Sequence, residues 1–431
     1  MISRLVNILG KYRSSSYLKD ILGQAGWMSL GQLIPVIFSP ILTRMYDEYA
    51  LAEVTGMMTL GSLVLVFSCL NLNSPIIIEK DDENSKQLLI TGLSTSFVIS
   101  IILLLSIYLF PQFFITNFKI DNVAYYVPLY VLSFSFVNLL FSWQIRVKRF
   151  TRKAHAKIIE SVSYILLALL AFALANSNIW GLALGKIGGL VIALIYMFLC
   201  SRNILIKPDW KKAINLIKKY RDFPLFNMPS TFINVLSLQI LIIFLGIYYS
   251  KSELGFFSLA NMVVLAPVAL ISQSISDIFF QKVVENFNQK NFQKTRLVFY
   301  NTLLLLTIIG VPIFLILLFG SKRLFPLIFG SNWQTTGVLA SMLSFIFLFK
   351  VIISPLGVIL LAINRVKTNS LWHMGRFIFL MAILFYAADI KKVEFFTFIL
   401  YYIVGTAISY ISYLIIIILE IERLPKYYPK S

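Results

Sequence analysis

The chain has 431 residues, 58% of them hydrophobic and only 13% charged, and its mean hydropathy is +0.83. Soluble globular chains are nearer half apolar and a quarter charged, which excludes a soluble enzyme or a soluble nucleic-acid binder. The formal net charge of +19, from 38 Lys+Arg against 19 Asp+Glu, has to be read relative to a lipid bilayer, with no nucleic-acid partner needed to explain it.

Residues 1–20 form a mixed, basic segment with no small-residue cleavage site, and so are not a secretory signal. A short interfacial helix with Leu5, Ile8 and Leu9 toward lipid and a disordered basic tail both fit them. Apolar runs near the length of about 20 residues that a spanning helix needs then follow at 21–43, 50–73, 87–116, 122–145, 156–176 and 178–200. After a polar linker at 201–226 come 227–248, 255–280, 298–320, 333–362, 369–388 and 395–419, and then a tail at 421–431. The first and seventh runs are rich in Gly, Ser, Asn, Gln and Pro, and the tenth is too long for one straight span and carries Pro355 and Gly357. The expected fold is an all-α integral membrane protein of about 12 transmembrane helices, with six-helix lobes at 21–200 and 227–420.

Tyr46-Asp47-Glu48-Tyr49-Ala50-Leu51 between the first two runs matches Ser250-Lys251-Ser252-Glu253-Leu254-Gly255 between the seventh and eighth. With an even number of spans per lobe, both lobes enter from the same side, which gives a parallel pseudo-two-fold repeat. Counted loop by loop, 28 basic residues lie on one side, 7 on the other and 3 inside spans. By the positive-inside rule the richer side, with both termini, is cytoplasmic.

Cys69 and Cys200 lie in apolar runs, and with His155 and His373 they offer no metal motif, so no cofactor is expected. The costly residues are the intramembrane cations Lys186, Lys350 and Arg376. None has an acidic residue within a turn, so they read as unpaired cations for an anionic substrate such as a pyrophosphate, with snorkelling to an interface as the alternative. Arg44, closing the first run, reads as a guanidinium at the outer cavity mouth or as an interfacial anchor on that side. Gln32, Asn234 and Gln239 on the two polar runs read as cavity lining or as interhelical glue. Arg146, Lys148 and Arg149 form a cytoplasmic basic loop. Gly181, Gly185 and Gly189 miss the spacing of a phosphate-binding loop and read as a close helix contact.

Ordered short motifs carry a resemblance over nearly the whole chain. They are Ser39-Pro40-Ile41-Leu42-Thr43-Arg44-Met45-Tyr46, Arg146-x-Lys148-Arg149-Phe150, Tyr220-Arg221-Asp222-Phe223-Pro224-Leu225-Phe226, Leu254-Gly255-Phe256-Phe257-Ser258-Leu259-Ala260, Leu324-Phe325-Pro326-Leu327-Ile328-Phe329-Gly330-x2-Trp333 and Asn364-Arg365. With them the chain resembles the bacterial lipid-linked oligosaccharide flippases for O-antigen and capsule repeat units, within the multidrug/oligosaccharidyl-lipid/polysaccharide exporter superfamily. Ala50 departs from the family's usual Gly, which the second half keeps at Gly255. The resemblance implies a two-lobed fold with a cationic cavity and alternating access. It also implies flipping of undecaprenyl-pyrophosphate-linked repeat units to the periplasmic leaflet for O-antigen or other lipopolysaccharide synthesis, with coupling to an H+ or Na+ gradient. Implied partners are the lipid bilayer, the lipid-linked glycan, and the polymerase and glycosyltransferases of the pathway. Two other readings stay open. An ion-coupled small-molecule exporter of the same superfamily calls for an embedded carboxylate, and a membrane glycosyltransferase or polymerase calls for a long external loop.

Overall fold

In a computed structural model the described residues are 16–175, 180–201, 204 and 207–427. Residues 1–15, parts of the linker and the last four residues, on which expectations for the basic segment, linker and tail partly fall, lie outside them. The described residues are helical with no strand, as the hydropathy pattern requires, because a chain in lipid has to satisfy its backbone polar groups internally. Eleven of the helices are long and apolar enough to cross a membrane, and exposed Leu, Ile, Phe and Val side chains such as Leu105, Leu174, Ile316 and Phe319 face outward as a lipid-compatible surface.

The chain divides into two compact units, residues 1–247 and 248–431. The first contains α1 (Ser16–Met45), α2 (Glu48–Ser68), α3 (Asn73–Ile78), α4 (Asp82–Leu109), α5 (Pro111–Phe118), α6 (Val127–Arg146), α7 (Phe150–Ala175), α8 (Trp180–Leu199), α9 (Trp210–Lys219) and nearly all of α10 (Met228–Tyr248). The second contains α11 (Lys251–Asn288), α12 (Phe292–Phe329), α13 (Gln334–Ile353), α14 (Val358–Ala362), α15 (Val366–Phe385) and α16 (Phe395–Tyr427). The sequence reading starts the second lobe at α10. In the structure α10 packs on α2 through Phe232 against Phe67, with ring centroids 4.9 Å apart, and through Gln239, whose amide donates to Ser62 Oγ at 3.3 Å.

Several expected boundaries move. The run 87–116 is two helices, because Pro111 has no N–H to continue α4 and instead starts α5 at a position where that N–H is not needed. Helices α11 and α12 are each 38 residues long, about 57 Å at 1.5 Å per residue. That is far more than about 30 Å of hydrocarbon requires, and their polar ends continue as helix. The tenth run breaks where Pro355 and Gly357 fall, with a 3-10 turn at Ser354–Gly357 between α13 and α14.

The two matched loop segments are both helix N-caps. Asp47 accepts from the Ala50 amide at 2.9 Å and starts α2. Ser250 and Glu253 form a reciprocal capping box that starts α11. The two matched positions thus share a place for a cap, with different capping chemistry.

Candidate functional site

Each unit holds an intramembrane charged cluster. In the first, two prolines prepare the ground. Pro40 of α1 cannot bond the Val36 carbonyl, and the Ser39 hydroxyl does so instead at 2.6 Å. Pro35 likewise frees the Gly31 carbonyl, and this one is reached from a neighbouring helix, by Ser161 Oγ of α7 at 2.6 Å. That bond fixes α7 beside α1 one residue after Glu160. On the other flank α8 approaches through small residues. A Cβ on Gly185 would lie 2.8 Å from the Tyr164 carbonyl oxygen, and one on Gly189 would lie 2.5 Å from that of Glu160. The glycine run is therefore a helix contact, as its spacing predicts.

Between these helices the Glu160 carboxylate, 3% exposed, accepts from Lys157 Nζ at 2.8 Å and from Lys186 Nζ at 3.0 Å. The Lys186 ammonium also lies 5.6 Å from the Tyr164 ring centroid. Lys186 is thus not the unpaired cation expected from its own helix. Its partner is 26 residues away on α7. The triad keeps one net positive charge, and its carboxylate is already saturated by two ammonium groups.

The second unit keeps its cations without an acidic partner. Lys350 ends α13 and Arg376 lies mid-way along α15, and neither makes an ion pair among the described residues. Their charges lie close enough to repel, and His373 also feels Arg376. The Arg376 guanidinium carbon lies 5.0 Å from the Tyr410 ring centroid and 5.7 Å from that of Trp372, so aromatic faces hold it. Its Nε is buried without a hydrogen-bond partner. Trp372 is itself fixed, stacked on Tyr413 at 3.8 Å, with its indole N–H donating to the Ser409 carbonyl at 3.2 Å. Gly357 makes room for this stack, since a Cβ there would lie 2.4 Å from the Tyr413 hydroxyl. Arg376, Trp372, His373, Tyr410, Tyr413 and Ser354 line a cavity of about 160 Å³. A guanidinium lining a cavity can take a phosphate or carboxylate in a bidentate manner.

The remaining expected residues are distributed. Arg44 is exposed in the last turn of α1, where a cation complements the helix C-terminus, and it makes interactions there. Gln32 and Asn234 are exposed, while Gln239 joins α10 to α2. Arg146 is an anchor: it pairs with Asp82 at 2.7 Å and donates to the carbonyls of Ile76, Glu79 and Lys80. Lys148 and Arg149 are exposed beside it.

The sequence matches the model of the family described as "Polysaccharide biosynthesis protein" over residues 41–338. The chain belongs to this polysaccharide biosynthesis protein family. It is 21% identical to the lipopolysaccharide biosynthesis protein WzxC of Escherichia coli (strain K12) over 83% of this chain and 73% of that protein. It is 24% identical to the teichuronic acid biosynthesis protein TuaB of Bacillus subtilis (strain 168) over 37% of this chain, an alignment that spans about a third (32%) of TuaB. Two solved structures share its fold at 14% identity. An inward-facing multidrug resistance MATE family transporter of the MOP superfamily has a TM-score of 0.70, covering 92% of this chain and 96% of its own. The lipid II flippase MurJ in an inward closed conformation has a TM-score of 0.70, covering 95% and 89%. The described residues accordingly form a multi-pass, all-helical membrane protein that shares its fold with these two solved structures.

In this family member the shared motifs are largely structural. Gly330 closes α12 at φ 109, ψ 157, a backbone region essentially confined to glycine, and the chain then turns so that Trp333 is buried. Asn364 takes φ 60 after α14, and the Arg365 that follows it pairs with Glu420 at 2.9 Å. Tyr220 donates to Glu79 at 2.9 Å. The sequence reading missed Lys157, Glu160, Trp372 and Tyr410. The Lys157/Glu160 spacing of three was a usable signal, but Lys157, at the very edge of the run 156–176, was counted with the basic loop before it.

Proposed function

We propose that the chain is a flippase that moves polyprenyl-pyrophosphate-linked oligosaccharide repeat units across a bacterial inner membrane by alternating access, for O-antigen or another surface polysaccharide. Family membership carries this reading, and the second unit's cluster supports it. Lys350 and Arg376 are cations without an acidic partner among the described residues, as binding an anionic head group inside the membrane demands. Arg376, clamped by Trp372 and Tyr410, presents its remaining N–H edge to a pyrophosphate, and Lys350 adds a second charge. The glycan and pyrophosphate need such a path because neither crosses hydrocarbon alone. No covalent bond is made or broken in this cycle. Both termini face the cytoplasm in this reading, and an H+ or Na+ gradient supplies the energy. The polymerase and glycosyltransferases that hand over and receive the glycan are the proposed partners, to be sought by co-purification.

Deletion of the gene is expected to accumulate lipid-linked repeat units on the cytoplasmic leaflet, with wild-type but not Arg376→Ala protein restoring surface polysaccharide at equal protein level. Normal polysaccharide after clean deletion, without a redundant transporter, overturns the proposal. One observation favours the exporter reading: Glu160 is the embedded carboxylate it calls for. Two ammonium groups already occupy that carboxylate, which argues against a free cation site. Drug hypersensitivity of the deletion strain with intact polysaccharide would establish the exporter instead.

A further inference from the structure

We propose that the first unit carries a binding site for an anionic phospholipid head group on the face where the basic loops cluster, separate from both intramembrane clusters. A cavity of about 430 Å³ opens there between the start of α4, the end of α6 and, after α8, Cys200, Ser201 and Ile204. That volume is within the range of about 300–1,000 Å³ typical of ligand sites. Three features give it a chemistry.

The first is charge. Lys86 and Arg149 line the cavity, and neither forms an ion pair among the described residues. The acid in the lining, Asp82, is already neutralised by Arg146, whose Nη2 lies 2.7 Å from Oδ1. The cavity is therefore net cationic.

The second is an unmet polar group at its wall. Gln144 is 1% exposed; its Nε2 donates to Ser201 Oγ at 2.6 Å, while Oε1 has no hydrogen-bond partner. A buried amide end left unpaired costs about 1–3 kcal/mol. A hydroxyl can donate or accept, so whichever way the amide is turned, one end is left for a ligand. A phosphodiester bearing free hydroxyls supplies the anion for Lys86 and Arg149 and the complementary polar group for Gln144.

The third feature points to a lipid source. Val147 and Leu199 line the same cavity and are exposed, so its rim continues into the apolar outer surface at the helix ends. Beside it, α9 packs on α4, with the Gln87 amide donating to the Asp209 carbonyl at 2.9 Å. Its outer side exposes Trp210 and Ile214 together with Lys211 and Lys218. Aromatic, aliphatic and basic side chains on one outer face are what a helix at head-group level presents.

The test uses native mass spectrometry of the full-length protein from detergent, titrated with phosphatidylglycerol, phosphatidylethanolamine or inorganic phosphate. The expected result is retention of one phosphatidylglycerol in preference to phosphatidylethanolamine. In the K86Q/R149Q variant that affinity should fall roughly 25-fold, at a factor of about five per charge removed. Both positions are at least partly exposed, so the variant should fold, and an unchanged unfolding temperature verifies this. Equal retention of the two lipids, or equal affinity in the variant, overturns the site. Saturation by millimolar inorganic phosphate with no lipid preference overturns the lipid source.

Discussion

Ser161 does for the Gly31 carbonyl what a backbone amide would do if residue 35 were not proline. Ser161→Ala should therefore cost about 1–3 kcal/mol, the penalty for an orphaned buried acceptor. Pro35→Ala restores an N–H at the right place, so in the double variant the loss should largely vanish. Thermal unfolding in detergent reads this cycle, and equal unfolding temperatures for S161A and P35A/S161A refute the coupling. One residue earlier, Glu160→Ala strands two ammonium groups and should cost about 3–5 kcal/mol, whereas E160Q/K186M, which leaves fewer unpaired charges, should cost less. A larger loss in the double variant than in E160A argues against the triad. At this scale the sequence was half legible. That Lys186, Lys350 and Arg376 were costly could be read from hydropathy alone. That Lys186 is paired could not, because its partner lies on another helix and meets it only through the packing that Gly185 and Gly189 allow.

Helix interfaces and caps carry the next level of specification. Gly189→Val puts a branched side chain where a single Cβ already lies 2.5 Å from the Glu160 carbonyl oxygen, so α8 must move away from α7. An unfolding-temperature drop greater than that of Gly375→Val, where a Cβ meets nothing within 4 Å, is expected, and an equal drop refutes the close contact. The spacing of four made this interface readable in advance, whereas the caps at Asp47 and Ser250 appear only in the structure. The linker was less legible: a stretch read only as polar contains α9, which docks by charge. Its Lys219 ammonium lies 2.6 Å from Glu79, and the Lys80 and Asp81 amides also point at that carboxylate. Burial by itself raises the Glu79 carboxyl, but the Lys219 ammonium, the Asp81 amide, the Tyr220 hydroxyl and the Lys80 amide outweigh it and hold it at about 2, below its ordinary 4.5. A depressed carboxyl stabilises docking fully above its unfolded value and loses that contribution as pH falls from 4.5 toward 2. A nitroxide at N215C on α9 should stay immobile from pH 7 to 5 and loosen below 4.5. In the E79Q background it should be mobile already at pH 7, and an unchanged profile there refutes the latch.

For the whole molecule the decisive quantity is where charge sits relative to the bilayer. Helix boundaries moved by up to a turn or more between the sequence reading and the structure, yet the side assigned to each loop did not depend on them. Loops are separated by whole spans, so an error of several residues at an end leaves a lysine on the same side. The same argument explains why lobe membership was harder to read: whether α10 joins the first or second unit depends on side-chain packing such as Phe67 against Phe232, which hydropathy does not encode. Sidedness can be tested directly in a C69A/C200A background, these being the only cysteines. Lys290, in the turn after α11, and Lys322, near the far end of α12, are both exposed and lie at opposite ends of one long helical hairpin arm. With 28 basic residues counted on the Lys290 side and 7 on the Lys322 side, the positive-inside rule predicts a cytoplasmic Lys290. A membrane-impermeant maleimide added to intact spheroplasts should label K322C and leave K290C unlabelled until the membrane is opened. The reverse pattern would invert the molecule, and with it the leaflet from which the proposed substrate is taken.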